Sequence, residues 1–276
     1  MTPPRDNRCS AAGTSPAAGG GPAFTDVHCH CLPGLDDGPA RRTEALTVCR
    51  ALTTDKIERV VATPHQLGRF EGCYGAEAIR EAVRELNRSL EDAQIPLIVL
   101  PGADVRLDER IPRFLRSDDL LTVGDRGKYL LLELPHEVFI DPEPLLAELA
   151  SLGVIAIITH PERHAYLARH PQHVRKWVEY GTCLQITAGS LGGDFGRQSQ
   201  EAAWTFVQAP MPVLIATDAH DTSGRAPRMS DAYRLLAQRF GWFAADMLCV
   251  TNPRRAVEGQ DLLNLVKSDL RREVVR

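Results

Sequence analysis

Asp26-Val27-His28-Cys29-His30-Cys31-Leu32-Pro33-Gly34-Leu35-Asp36-Asp37-Gly38 reads as a strand that runs out into a polar turn. Side chains on a strand alternate between faces, so His28 and His30 share one face and Cys29 and Cys31 the other. Two imidazoles roughly 7 Å apart on one face can grip a single cation. Asp37 follows within the Pro/Gly turn and can fold back to add a hard oxygen ligand. A lone His-x-His is weak evidence. It becomes strong only if other strands end in ligands too.

Strand-like and helix-like stretches alternate along the rest of the chain. The first strand, 24–30, precedes a helix in which Ala45, Cys49 and Leu52 recur at i, i+4 and i+7. A second strand, 57–63, ends in Thr63-Pro64-His65. Residues 76–92 carry the clearest amphipathic stripe: Ile79, Ala82, Val83, Leu86 and Leu90. Further strands are expected at 97–100, 129–134, 154–159, 183–187 and 213–217. Helices are expected near 108–116, 143–152, 171–180 (ending at Gly181), 195–209, 228–240 and 243–249. Seven strands alternating with helices imply parallel βα units, and a closed barrel suits the ligand distribution better than an open sheet.

Candidate ligands sit at the C-terminal ends of six of those strands: His28 and His30, His65, Asp104, Glu133, His160, then Asp218 and His220. In a parallel barrel such ends converge on one face, where active sites lie. Asp37 reaches the same face from the first loop. A His and carboxylate set favours Mn²⁺, Fe²⁺ or Zn²⁺ over Ca²⁺ and over a structural Cys₄ zinc site. Nine ligands exceed the needs of one ion, so two or three are implied. Ions roughly 3.5–4 Å apart can hold a bridging hydroxide for in-line attack on phosphorus.

Arg163 follows His160 by three residues and Arg225 follows His220 by five, and guanidinium forks match phosphate oxygens. Arg69 and Arg106 are weaker candidates. His136 lies near the face but off the pattern; His164, His170 and His173 are expected to face solvent. Cys249 and Arg255 have the spacing of a cysteine-based phosphatase. The residues between them include Pro253 and no Gly, so they make no amide cradle for phosphate.

The 276 residues are 43% hydrophobic with net charge −4, which gives no footprint for nucleic acid. No apolar run approaches the roughly 18 residues of a membrane span. Seven cysteines, four of them within apparent helices or strands, point to reduced thiols and a cytoplasmic protein. Residues 1–23, rich in Gly, Pro and Ala, read as a disordered tail. The globular domain should span 24–260, with 261–276 a frayed helix or tail.

Nine stretches then match a family: DVHCHCLPGLDDG (26–38), ATPH (62–65), PGADVR (101–106), LLELP (131–135), THPER (159–163), QITAGSLGGDFG (185–196), ATDAH (216–220), GRAPRMSDAY (224–233) and TNPRR (251–255). The chain resembles the PHP (polymerase and histidinol phosphatase) superfamily. More closely, it resembles the manganese-dependent bacterial tyrosine-protein phosphatases of capsule and exopolysaccharide clusters. The resemblance implies a single-domain, distorted (β/α)₇ TIM-like barrel with a trinuclear site. Its metal ligands would be His28, His30, Asp37, His65, Glu133, His160, Asp218 and His220, and Arg163 and Arg225 would contact the phosphoryl group. The family usually has Glu where this chain has Asp104, one methylene shorter. By resemblance the substrate is phosphotyrosine on a tyrosine autokinase that controls polysaccharide export. Two rival readings are a small-molecule phosphatase, such as one for histidinol phosphate, and a non-catalytic regulatory module that keeps its metals for structure.

Overall fold

In the computed structural model, residues 21–265 are described. The strands are β1 (Phe24–Cys29), β2 (Ile57–Ala62), β3 (His65–Gln66), β4 (Ile98–Pro101), β5 (Asp104–Arg106), β6 (Tyr129–Glu133), β7 (Ile155–Thr159), β8 (Cys183–Thr187) and β9 (Val213–Ala216). Each neighbouring pair is parallel, in the orders β1-β2-β4 and β3-β5-β6-β7-β8-β9.

These nine pieces occupy seven strand positions. β3 continues the line of β2 after Thr63-Pro64, where Pro64 has no N–H to give to a ladder. β5 continues β4 after Gly102-Ala103. A Cβ on Gly102 would lie 2.4 Å from Val61 Cγ1, so the Val61 side chain already fills the space that a side chain there would need. A parallel bridge between Cys29 and Ala219 joins the first position to the last. Through it His30 N donates to Ala219 O at 2.9 Å and Asp218 N to His28 O at 2.8 Å, which closes the barrel.

Strand alternation divides the core into two. Leu130, Leu132, Ile158, Leu184 and Ile186 face the surrounding helices. Val27, Val61, Tyr129, Leu131, Ile157, Cys183 and Leu214 fill the interior with Val123, Ala256 and Val257. The interior is therefore apolar at the N-terminal ends of the strands. Farther along the same faces it becomes polar, with Glu133, Thr159 and Gln185. The β1–β2 register slips between Asp26 and Cys29. Beyond that slip Cys29 and Cys31 join the helix-side core with Cys49.

Helices at Arg42–Thr54, Ala76–Asp92, Glu143–Ser151 and Met229–Phe240 fall close to their expected places. Others differ. The helix expected near 108–116 starts only at Ile111. Residues Pro171–Tyr180 form a ten-residue 3-10 helix, which Gly181 ends at φ 72°. The helix expected over 195–209 spans Gly196–Phe206, and a short helix that was not expected, Ala188–Gly192, precedes it. After Trp242–Asp246 comes a π turn, Met247–Thr251, that leads into Asn252–Val257. Residues 261–265 are irregular, and Tyr129 Oη donates to Gln260 O at 2.9 Å. The rest of the expected terminal helix, 266–276, and residues 1–20 of the expected tail lie outside the described residues. Among the described residues, no helix is long and apolar enough to cross a membrane.

Candidate active site

His28 and His30 leave β1 toward the polar end of the barrel interior, with Nε2 atoms 3.3 Å apart. Around them the structure brings together all nine residues singled out as ligands. Their donor atoms form four overlapping groups, each within 4.8 Å: His28, His160 and Asp218; His28, His30 and Asp104; His65, Asp104 and Glu133; and His30, Asp37, His65 and His220. Asp104 lies at the middle. Its Oδ2 is 3.6 Å from His28 Nε2, 3.5 Å from His65 Nδ1 and 3.9 Å from His160 Nε2. Asp37 Oδ1 reaches in from its turn to 3.3 Å from His220 Nε2 and 3.6 Å from His65 Nε2.

Two of these residues stand on unusual backbone. His160 (φ 34°) and Asp218 (φ 52°) are left-handed, at the ends of β7 and β9. Such conformations cost roughly 1–3 kcal/mol each and persist where surrounding structure over-determines them. Here Asp218 N is held by His28 O, and His160 N donates to Gln185 Oε1 at 3.3 Å.

The second ring nitrogens have partners that fix the imidazoles. His28 Nδ1 donates to Gln185 Oε1 at 3.0 Å, His30 Nδ1 to Asp36 Oδ2 at 2.5 Å, and His220 Nδ1 to Asp218 O at 3.0 Å. In each case Nε2 is left as the lone-pair nitrogen facing the cluster. Asp36 and Gln185 were missed from sequence. Asp36 stands beside the more obvious Asp37, and also accepts from His65 N at 3.1 Å and Gly38 N at 3.0 Å. Gln185 lies in a stretch quoted for the family resemblance, at an interior position of β8.

Burial draws His28 down to about 3 and His65 to about 4. Burial and the Arg163 charge hold His160 well below its ordinary value. These rings are therefore neutral near pH 7, the form that binds metal. His30 differs: burial lowers it, but the charge and hydrogen bond of Asp36 outweigh that and raise it. Burial, then Glu133 and Asp218, push Asp104 well above the carboxylate range. Burial also raises Asp218, but His28, Arg163 and Arg225 more than offset it and hold Asp218 well below that range.

Asp104 Oδ2 and Asp218 Oδ1 are buried with no hydrogen-bond partner in the protein, although both point among imidazole nitrogens. Buried carboxylate oxygens without donors are costly unless a cation meets them. The donor set is nitrogen and oxygen with no thiolate. It therefore fits two or three borderline or hard divalent ions.

Above the cluster opens a cavity of about 390 Å³. Asp37, His65, Glu133, His160 and Asp218 line it, with Arg69, Phe70, Arg106, His136, Arg163 and Arg225. Arg163 and Arg225 both donate to Asp218 Oδ2, and Arg225 Nη1 lies 2.8 Å from His220 Nε2. The Arg163 guanidinium also rests 4.6 Å from the centroid of Phe195. Arg106 pairs with Glu133 at 3.1 Å and Arg69 with Asp37 at 2.6 Å.

The remaining histidines divide. His170 is exposed as expected, but His164 is only 3% exposed. Its Nδ1 accepts from Tyr166 N and Leu167 N and so caps the helix that follows. His173 is partly buried, with Nε2 3.1 Å from Asp141. Cys249 is fully buried in the π turn, where burial pushes its thiol well up, which removes it as a nucleophile.

The profile of the family described as "Capsular polysaccharide synthesis, CpsB/CapC" matches residues 24–258. Tyrosine-protein phosphatase YwqE of Bacillus subtilis (strain 168) is 36% identical over 219 residues, which cover 78% of this chain and 85% of that protein. Tyrosine-protein phosphatase CpsB of Streptococcus pneumoniae is 25% identical over 242 residues, covering 85% and 98%. Crystal structures of these two proteins are described as those of unique metal-dependent tyrosine phosphatases. The match to them has a TM-score of 0.82 at 33% identity and covers 88% of this chain and 97% of that one. A phosphotriesterase homology protein from Escherichia coli, at 11% identity and a TM-score of 0.51, shares the fold alone.

Proposed function

The chain belongs to the CpsB/CapC family of capsular polysaccharide synthesis, and on that premise we infer that it is a metal-dependent tyrosine-protein phosphatase. Its metal centre would be held by His28, His30, Asp37, His65, Asp104, Glu133, His160, Asp218 and His220. One observation carries this reading: the four donor groups use all nine residues, at the floor of a pocket that Arg163 and Arg225 line. Bound divalent ions, Mn²⁺ by resemblance with Fe²⁺ or Zn²⁺ as alternatives, would supply a nucleophilic water at neutral pH and Lewis-acid neutralisation of charge.

The chain's own residues do the rest. Gln185, Asp36 and the Asp218 carbonyl hold three imidazoles with Nε2 toward the centre. Arg163 and Arg225, already in the pocket beside Asp218, take the equatorial phosphoryl oxygens and stabilise the charge that builds there. The tyrosinate that leaves has a pKa of about 10, so its departure needs little help. The partner we assign is a bacterial tyrosine autokinase that controls capsule or exopolysaccharide synthesis, met in the cytoplasm.

Stripped protein reloaded with Mn²⁺ should release phosphate from a phosphotyrosine peptide and not from histidinol phosphate, with His28→Ala as the blank. Release from histidinol phosphate alone would keep the chemistry and overturn the substrate. Silence on both, with metal bound, would favour a regulatory module.

A further inference from the structure

His136 lies three residues after Glu133, off the pattern of strand-end ligands, yet it lines the pocket. One face of its imidazole lies nearly parallel to His160, with centroids 5.5 Å apart and planes 15° apart. Nε2 is 3.4 Å from Glu133 Oε1, which helps to hold the ring in that attitude. The side chain is still 38% exposed and lines the pocket, so His160 does not cover the whole ring. Phe70 lines the same cavity, but its ring already carries two partners: His65 at 5.5 Å and the Arg69 guanidinium at 4.7 Å. His136 has one such ring partner, His160.

We propose that His136 is the platform on which the phenyl ring of the substrate stacks, and so the residue that sets a preference for aryl over alkyl phosphate esters. The proposal rests on the phosphatase reading and deepens it. A phosphoryl group seated at Arg163 and Arg225 leaves its ester stem in the rest of the cavity. A cavity of about 390 Å³ has room for a phosphoryl group with a phenyl ring beside it. Offset stacking on an imidazole would add roughly a two- to tenfold advantage beyond simple area burial. A serine or glycerol phosphate has no ring to gain it.

Two variants separate the ring from the contact with Glu133. His136→Gln keeps a donor toward Glu133 and removes the ring; His136→Phe keeps a ring and removes the donor. The measurements are kcat/KM on phenyl phosphate and on glycerol phosphate, inhibition by phenylphosphonate against methylphosphonate, and metal content. Comparing each substrate with itself across variants cancels the difference in leaving-group reactivity. The aryl-to-alkyl ratio of kcat/KM should fall roughly two- to tenfold in H136Q, mainly through KM, and be retained in H136F. The phosphonate affinities should move in parallel. An unchanged ratio in H136Q, or a ratio lost equally in H136F, would overturn the proposal. Wild-type protein that carries metal and hydrolyses no ester would instead refute the phosphatase reading. The two phosphonates would still report whether a ring binds at His136.

Discussion

The candidate centre has a deep side and a shallow side, and they are built differently. His28, His160 and Asp218 come from the ends of β1, β7 and β9, with β8 between the last two, and are at most 3% exposed. Left-handed backbone at His160 and Asp218, and a single Gln185 that touches both His28 and His160, fix their directions. His30, Asp37, His65 and His220 form the shallow group. Its carboxylate comes from a loop: the Asp37 side chain is 39% exposed and is tied to Arg69 on the surface. The deep group is thus set by the barrel itself, whereas the shallow group depends on where a turn settles. In a site of this kind the first should release metal slowly, and the second should exchange fast.

The largest effect should come from the deep side. Asp218→Ala removes an expected ligand and the shared partner of Arg163 and Arg225. Phosphate release should drop by at least on the order of 10²–10³, and metal content should fall with it. Circular dichroism should show the barrel intact. Near wild-type turnover in metal-replete D218A would remove Asp218 from the site.

Asp37→Ala should do less and do it differently. The shallow group keeps three imidazoles, so metal affinity should fall by at least the roughly ten- to hundredfold that losing a ligand-orienting partner costs, while excess metal restores most activity. The same asymmetry should appear in wild-type protein during chelation, as a fast loss of part of the metal followed by a slow one. A single phase, or D37A inert to added metal, would mean that the two sides are one unit.

Much of this was legible in the sequence because strand ends and ligands coincide. His28, His65, His160 and Asp218 each stand at or just beyond a strand end, and seven strand positions follow from the alternation. What stayed hidden depends on contacts distant in sequence. Asp36 and Asp37 are indistinguishable in the chain, and only the fold of the Pro33–Gly38 turn sends one to His30 Nδ1 and the other to His220. Gln185 serves residues 157 and 25 positions away. His164 looked like a surface residue because a capping acceptor is usually Ser, Thr, Asp or Asn. The 3-10 helix at 171–180 and the π turn at 247–251 share the apolar spacing of α-helices, so periodicity cannot separate them.

Gln185→Ala tests whether the deep side owes its order to that one amide. The variant leaves His28 Nδ1 and His160 N without their acceptor in a fully buried place. Metal affinity or activity should fall by about tenfold, at the low end of the range for partners that orient ligands, because both histidines remain. Stability should drop by roughly 1–3 kcal/mol for the buried donors left unpaired, read as a lower urea midpoint with unchanged slope. A loss of stability with metal affinity intact would mean that strand geometry alone directs His28.

Arg69→Ala makes the smallest and most discriminating change. Its ion pair with Asp37 is at the surface, with the arginine side chain 66% exposed, and such pairs contribute about 0–1 kcal/mol. The melting temperature should therefore barely move. If the shallow group depends on where its turn settles, freeing Asp37 from this tether should still speed the fast chelation phase by a few-fold. The slow phase should stay unchanged, because Arg69 is engaged with Asp37 and Phe70. Acceleration of both phases would mean that the turn gates access to the whole centre. No change in either would mean that the hydrogen bonds of Asp36 to His65 N and Gly38 N already hold the turn. The shallow side would then be as pre-formed as the deep one.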